Sequence, residues 1–146
     1  GITTILNPAP YQPLTDDLLE LTDWLIPNEI EFAELDKTHR APDSDAVVAS
    51  LRKTGRTIVT LGSDGAALVT ADGSVKRFAA KKVAATDTTG AGDCFIGAVA
   101  AALASGASED SAVQFGIDCA TKSVTRKGAQ SFYPKIEEID FSLIVK

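Results

Sequence analysis

The run Asp87-Thr88-Thr89-Gly90-Ala91-Gly92-Asp93 gathers the residues best suited to chemistry. Two glycines and an alanine lie between two acids, after an apolar run and before an Ala-rich stretch. This order predicts a turn that opens a helix. The first amides of a helix have no partner within it, and the helix dipole favours negative charge there, so such a turn can hold a phosphate. Asp93 would compete with a phosphate for that site, which is expensive unless the carboxylate does chemistry. The chemistry that fits is acceptance of a proton from an attacking hydroxyl, as in phosphoryl transfer to an alcohol.

Other phosphate loops fit less well. A dinucleotide fingerprint would need a third glycine where Phe95 stands, and an acid at the end of the next strand. A Walker A loop is excluded, because no G-x-x-x-x-G-K-[ST] occurs. The competing structural reading is a capped helix that merely begins at a glycine turn.

The elements that must position this turn can be read from periodicity. Residues 2–6 predict a short buried strand, closed by Asn7-Pro8-Ala9-Pro10. Thr15 predicts a cap for a helix over 16–22, with Asp16 and Asp17 in its first turn. Residues 24–26 predict a second strand, stopped by Pro27, and 29–35 a short helix. A polar loop spans 36–43 and carries His39, expected on the solvated surface. Ser44 and Asp45 open a helix that ends at Gly55. Residues 57–61 are β-branched and strand-like, 62–65 form a turn, and Asp72-Gly73 joins strands 66–71 and 74–79 in a hairpin. A strand is expected near 82–86. The helix over 91–105 is apolar on every side and so is expected to be buried on every side. Ser108 caps a helix running to about 125, and Pro134 starts a last amphipathic helix. Alternating short apolar strands and helices predict an α/β fold, with a mainly parallel sheet and helices on both faces. Ligands in such sheets sit at the carboxyl ends of the strands, so the loops after Ile26, Leu61 and Thr86 are expected to share one crevice.

Composition narrows the functions. The chain has 146 residues, 45% of them hydrophobic, which suits one globular domain. Its net charge of −6 argues against a nucleic-acid partner, since backbone phosphates need clustered Lys and Arg. No apolar run reaches membrane-spanning length, and a cytoplasmic home is expected. Cys94 and Cys119 read as buried thiols, not as a disulfide. The chain holds no Met, and Gly1 leads straight into a strand-like run, so a fragment of a longer protein is expected.

Residues 87–98 resemble the C-terminal signature of the ribokinase family of carbohydrate kinases, the PfkB family. Further stretches follow in the family's order: Asn7-Pro8-Ala9-Pro10, then Asn28 and Glu31 of an Asn-x-x-Glu motif, then Thr60 to Gly65, then Val124 to Gln130. The resemblance implies that Asp93 is the catalytic base and that Gly90, Ala91 and Gly92 form an anion hole. It implies that Asn28 and Glu31 order magnesium-bound water and the ATP phosphates. Thr60, Gly62, Ser63 and Gly65 resemble the nucleotide loop, and Ile117 falls near where the family often places a polar residue against adenine, so that an adenine contact here would have to be apolar. Asp87, Thr89, Ser123, Arg126, Gly128 and Ser131 resemble the family's potassium site, mostly through backbone carbonyls. The ribokinase pattern has a proline between the Gln and the Ser, whereas here Ser131 follows Gln130 directly.

The family's sugar-binding residues, di-glycine motif and β-sheet lid are not found in this sequence. The chain therefore reads as the C-terminal ATP-binding and catalytic part, residues 1–146, of an ATP-dependent kinase that phosphorylates a primary hydroxyl of a sugar, ribose foremost. Expected partners are ATP, Mg2+, K+ and a small sugar, with homo-oligomerisation or self-association of the chain. Two alternatives are a nucleotide-binding fragment without catalysis and a family relative acting on a nucleoside or other small alcohol.

Overall fold

The computed structural model describes residues 1–36, 39–51, 55–128 and 130–144. These form two compact units, Gly1–Phe78 and Ala79–Lys146.

The first unit is α/β. Its strands β1 (Ile5–Leu6), β2 (Trp24–Leu25), β3 (Arg56–Thr60), β4 (Ala66–Val69) and β5 (Val75–Phe78) form one sheet in sequence order. The pairings β1–β2 and β2–β3 are parallel, while β3–β4 and β4–β5 are antiparallel. The β4–β5 pair is the hairpin foreseen at Asp72-Gly73, with Gly73 at φ 88° where an L side chain would be strained, and β3 and β4 are joined by the turn at 61–65. Helices α1 (Asp16–Glu20), α2 (Glu29–Leu35) and α3 (Asp45–Ser50) connect the parallel strands and the start of the hairpin. Leu19, Phe32, Val48 and Leu51 from the helical segments pack with Leu25, Val59, Ala67 and Val69 from one face of the sheet. The opposite parity of β3 and β4, Ile58 and Leu68, is buried as well. Burial on both faces explains why these strands read as unbroken apolar runs.

Local caps explain where the helices begin. The Leu18 amide donates to Thr15 Oγ1, and the Val47 amide to Ser44 Oγ. His39 lies exposed in the 36–43 loop as expected, while residues 37 and 38 of that loop are outside the described residues. Residues 52–54, the expected end of the third helix, are likewise outside them.

The second unit is built on α4 (Ala91–Ala104) and α5 (Glu109–Ser123). They pack tightly at Gly116, where an added Cβ would lie 2.7 Å from Val99 Cγ2 and 2.9 Å from the Phe95 ring. Cys94 and Cys119 are free and buried.

Three expectations need correction here. Residues 82–86 form no strand. The amides of Thr86 and Asp87 donate instead to the Val124 carbonyl at 2.7 and 3.3 Å, so they are spent on the end of α5. The helix α4 is not buried all round, because Gly97, Ala101 and Ala104 lie exposed along it. Their side chains are too small for that exposure to cost much apolar area. Pro134 starts no regular helix. The chain there makes only short 3-10 turns, Ile136–Glu138 and Phe141–Leu143. Asp140 interrupts them in an extended conformation and caps the second through the Ser142 amide.

Packing at Gly116 generates a prediction. Gly116→Ala should destabilise the chain by about 1–3 kcal/mol, because the α4–α5 contact must open to admit the methyl. Urea unfolding followed by far-UV circular dichroism measures this. A stability equal to or above that of the parent would show that the contact yields freely.

Candidate active site

In the first unit, the loops after β2 and β3 lie side by side at the carboxyl ends of the parallel strands. The Thr60 amide donates to the Pro27 carbonyl at 3.0 Å, and Asn28 and Thr60 form a parallel bridge. The structure thus brings Asn28, Glu31, Thr60 and Gly62 to one sheet end. Asn28 is the N-cap of α2: its Oδ1 accepts from the Ile30 and Glu31 amides, each at 2.9 Å. Glu31 is 5% exposed and its Oε2 accepts from the Asn28 amide at 2.8 Å, which completes a capping box. The Asn-x-x-Glu spacing is therefore first a folding device. Both side chains are fixed in place before any ligand arrives.

After β3 the chain turns tightly. Gly62 has φ 53° and Gly65 φ 102°, both in the region that disfavours L side chains. The Leu61 amide donates to the Gly65 carbonyl at 2.8 Å, and the Gly65 amide to the Gly62 carbonyl at 3.2 Å. Ser63 sits exposed at the tip of this turn, in the short 3-10 segment Gly62–Asp64.

The glycine turn belongs to the second unit. Gly90 caps α4 in the left-handed conformation, φ 75° and ψ 5°. The Ala91 amide is partly spent on the Thr88 carbonyl at 3.2 Å. The Gly92 and Asp93 amides fall in the first helical turn, where no carbonyl of the helix can serve them. Asp93 is exposed on that turn, whereas its neighbours Cys94 and Phe95 point into the unit. The arrangement offers amide donors and a solvent-reachable carboxylate within one helical turn.

The residues of the expected cation site are drawn together only in part. Asp87 Oδ1 accepts from the Thr89 amide at 2.9 Å, and its Oδ2 from the Gly128 amide at 3.1 Å. The Thr89 amide and hydroxyl, followed by the Gly128 amide, hold the Asp87 carboxyl below the usual carboxylate range. Thr86 Oγ1 donates to the Thr125 carbonyl at 3.2 Å. Ser123 is buried, and its hydroxyl donates to the Ala120 carbonyl at 2.8 Å. The Arg126 guanidinium is turned to Glu138, whose carboxyl is held down at about 2 mainly by that contact. Ser131 lies exposed in the 3-10 turn Gln130–Phe132. Among the described residues, no group of three or more His, Cys, Asp or Glu could hold a metal.

Ile117 is 4% exposed and serves the core of the second unit, so it offers little surface to a base. The anchoring roles of Thr86 and Val124 escaped the sequence reading. Val124 acts through its carbonyl, which every residue possesses, so no side-chain signal marks it. Among the described residues, no helix is long and apolar enough to cross a membrane.

Comparison with known proteins places this geometry. Residues 1–136 match the pfkB family carbohydrate kinase. The chain is 38% identical to the ribokinase of Schizosaccharomyces pombe, over all of this chain and 48% of that protein. It is 39% identical to the ribokinase of Haemophilus influenzae, over 94% of this chain and 46% of the relative. Among solved structures, ribokinase from Thermotoga maritima aligns with a TM-score of 0.84 at 38% identity, covering 93% of this chain and 47% of that one. Arabidopsis thaliana ribokinase, complexed with ribose and ATP, aligns with a TM-score of 0.85 at 30% identity, covering 94% and 46%. The chain spans about half the length of the curated relatives it matches. Two paired motif loops in the first unit and a glycine-capped helix bearing Asp93 in the second thus accompany a match over nearly the whole sequence: the chain belongs to the pfkB family of carbohydrate kinases.

Proposed function

We propose that the protein carrying this chain is an ATP-dependent sugar kinase, with ribose as the foremost acceptor, and that residues 1–146 are its C-terminal, nucleotide-binding and catalytic part. The observation that carries the reading is the first turn of α4, where amide donors and the exposed Asp93 carboxylate stand together. The ribokinase relatives support the acceptor class, and a deoxyribokinase of Salmonella typhi at 37% identity keeps deoxyribose as the nearest rival.

In the reaction, a primary hydroxyl of the sugar attacks the γ-phosphorus of ATP. The new bond joins the sugar oxygen to that phosphorus, and the bond to the β,γ-bridging oxygen breaks to leave ADP. Asp93 takes the hydroxyl proton. The amides at Gly90, Ala91 and Gly92 face the charge on the transferring group, and such preorganised donors are commonly a large catalytic term. Of these, Gly92 carries the most weight, because the Ala91 amide is already engaged with Thr88. Asn28 and Glu31 would order magnesium-bound water beside the phosphates. Magnesium, when bound, would supply charge neutralisation on the phosphates, and because it keeps most of its waters a single buried carboxylate acting through water would suffice to hold it. Thr60, Gly62, Ser63 and Gly65 would line the nucleotide, where positive-φ glycines let backbone approach it closely. Ile117 would touch adenine only if its helix surface opens. Asp87, Thr89, Ser123, Arg126, Gly128 and Ser131 would surround potassium through carbonyls. A cytoplasmic location accords with buried free thiols.

The chain by itself should self-associate. Its sheet has β1 at an edge, and Ile2, Leu21 and Ile30 are largely exposed. Unpaired edges invite pairing and apolar patches seek cover.

Asp93→Asn in the complete enzyme should lower kcat by about 10²–10⁴ while leaving ATP affinity nearly unchanged. Full activity in that variant would remove Asp93 from the base role. Replacing sodium by potassium should raise kcat in the same enzyme. Equal rates in the two salts would count against a cation at the 87–89 and 123–131 segments. Sedimentation of the purified 146-residue chain should show species larger than a monomer, with no phosphorylation of ribose in a coupled assay. A stable monomer that turns over sugar would contradict the assignment to a catalytic part only.

A further inference from the structure

Glu29 is an acid of the first turn of α2 that takes no part in the capping box. It follows Asn28 directly and is exposed, and among the described residues no group bonds to or pairs with its carboxylate. The helix dipole favours a negative charge on this turn, and that would hold for an acid pointing in any direction. The Glu29 side chain points in one. It reaches from α2 to the loop after β3, where a Cβ added to Gly62 would lie 3.9 Å from its Oε2. Gly62 is exposed, with φ 53°, so bare backbone faces the carboxylate there. The bridge between Asn28 and Thr60 sets the spacing, because it ties together the two loops. The result is a solvent-open gap with a carboxylate on one wall and side-chain-free backbone on the other. A side chain at position 62 would stand in that gap.

We propose that Glu29 reads the sugar of the nucleotide: its carboxylate accepts from the vicinal ribose hydroxyls of ATP and makes the site prefer ribonucleotides to deoxyribonucleotides. This rests on the kinase reading, in which the 60–65 loop lines the nucleotide. Chemistry selects the ribose among the parts of ATP. The phosphates are anionic, and a carboxylate at short range repels them. The adenine edge sets one amino donor beside ring-nitrogen acceptors, which a carboxylate cannot serve. A vicinal diol presents two O–H donors side by side, and an ionised carboxylate presents two acceptor oxygens and no donor. The order of parts along the nucleotide agrees. The kinase reading puts the phosphates at Asn28, the ribose is the part of ATP joined directly to them, and Glu29 stands beside Asn28 facing the nucleotide loop. Glu29 acts at the sugar, away from the reacting phosphorus, so its effect is on which nucleotide binds.

Calorimetric titration of the complete enzyme with ADP and with 2′-deoxyADP, magnesium present, tests this. The parent should bind ADP about tenfold more tightly than 2′-deoxyADP, the scale of one hydrogen bond to a charged group. In Glu29→Ala, ADP affinity should fall about tenfold while 2′-deoxyADP affinity stays within about twofold, so the preference disappears. Glu29→Gln keeps the length of the side chain and one acceptor oxygen, and its preference should fall between those of the parent and Glu29→Ala. Because Glu29 is exposed, these variants leave the core untouched. A parent that binds both nucleotides alike, with sugar kinase activity intact, would overturn the inference and leave the proposed function standing. So would a Glu29→Ala variant that weakens both nucleotides equally, which would make Glu29 a partner of the metal-bound phosphates. A variant that tightens both equally would also overturn it, since the carboxylate would then only repel phosphate. A complete protein that binds neither nucleotide would remove the kinase reading and the role of Glu29 with it.

Discussion

The hydrogen bonds from Thr86 and Asp87 to the Val124 carbonyl are the constraint on which the second unit's chemistry depends. A glycine in the left-handed conformation is easily populated but equally easily left. Gly90 caps α4 in that conformation, and nothing intrinsic to glycine would keep it there. The preceding residues supply the restraint, since their polar groups are consumed by the end of α5. The helix α5 in turn is held to α4 by the close approach at Gly116. The start of α4, where the charge of a transferring phosphate would be met, is thereby fixed by the far end of the neighbouring helix.

The first unit solves a similar problem by other means. Its site residues sit at the ends of β2 and β3, and the parallel pairing of those strands sets their spacing. Asn28 and Glu31 cap one another at the start of α2. A capping box ordinarily lies on the surface and contributes about 1 kcal/mol. Here the glutamate is buried, so its orientation is also fixed by packing against the sheet end. A carboxylate that must address a hydrated magnesium ion benefits from such restraint, because the ordering has been done during folding. In the proposed reading the same residues would serve stability and phosphate chemistry without conflict, because one carboxylate oxygen is used by the cap and the group as a whole keeps its place.

Much of the local structure was legible because it is dictated locally. The Thr15, Ser44 and Ser108 caps, the Asp72-Gly73 hairpin and the bounds of α4 follow from side chains within a turn of the backbone they serve. The failures were at 82–86 and after Pro134. Both segments have an apolar pattern consistent with a regular element. In both, polar groups found partners distant in sequence: Thr86 and Asp87 at Val124, and Glu138 at Arg126. Once those bonds were made, the ladder or helix they would have joined was not needed.

The sequence by itself determined the family, the α/β class of the first unit and the identity of the chemically apt residues, because each depends on residue type at fixed spacing. Gly90-Ala91-Gly92-Asp93 and Asn28 with Glu31 carry their meaning in their order alone. Only the tertiary structure decided that β4 runs antiparallel to β3, that Thr60 lies against Asn28, and that Asp87 spans from Thr89 to Gly128. The last two of these contacts join residues about thirty to forty positions apart, with a backbone amide on at least one side of each. Every residue carries such groups, so no residue type announces which of them will meet.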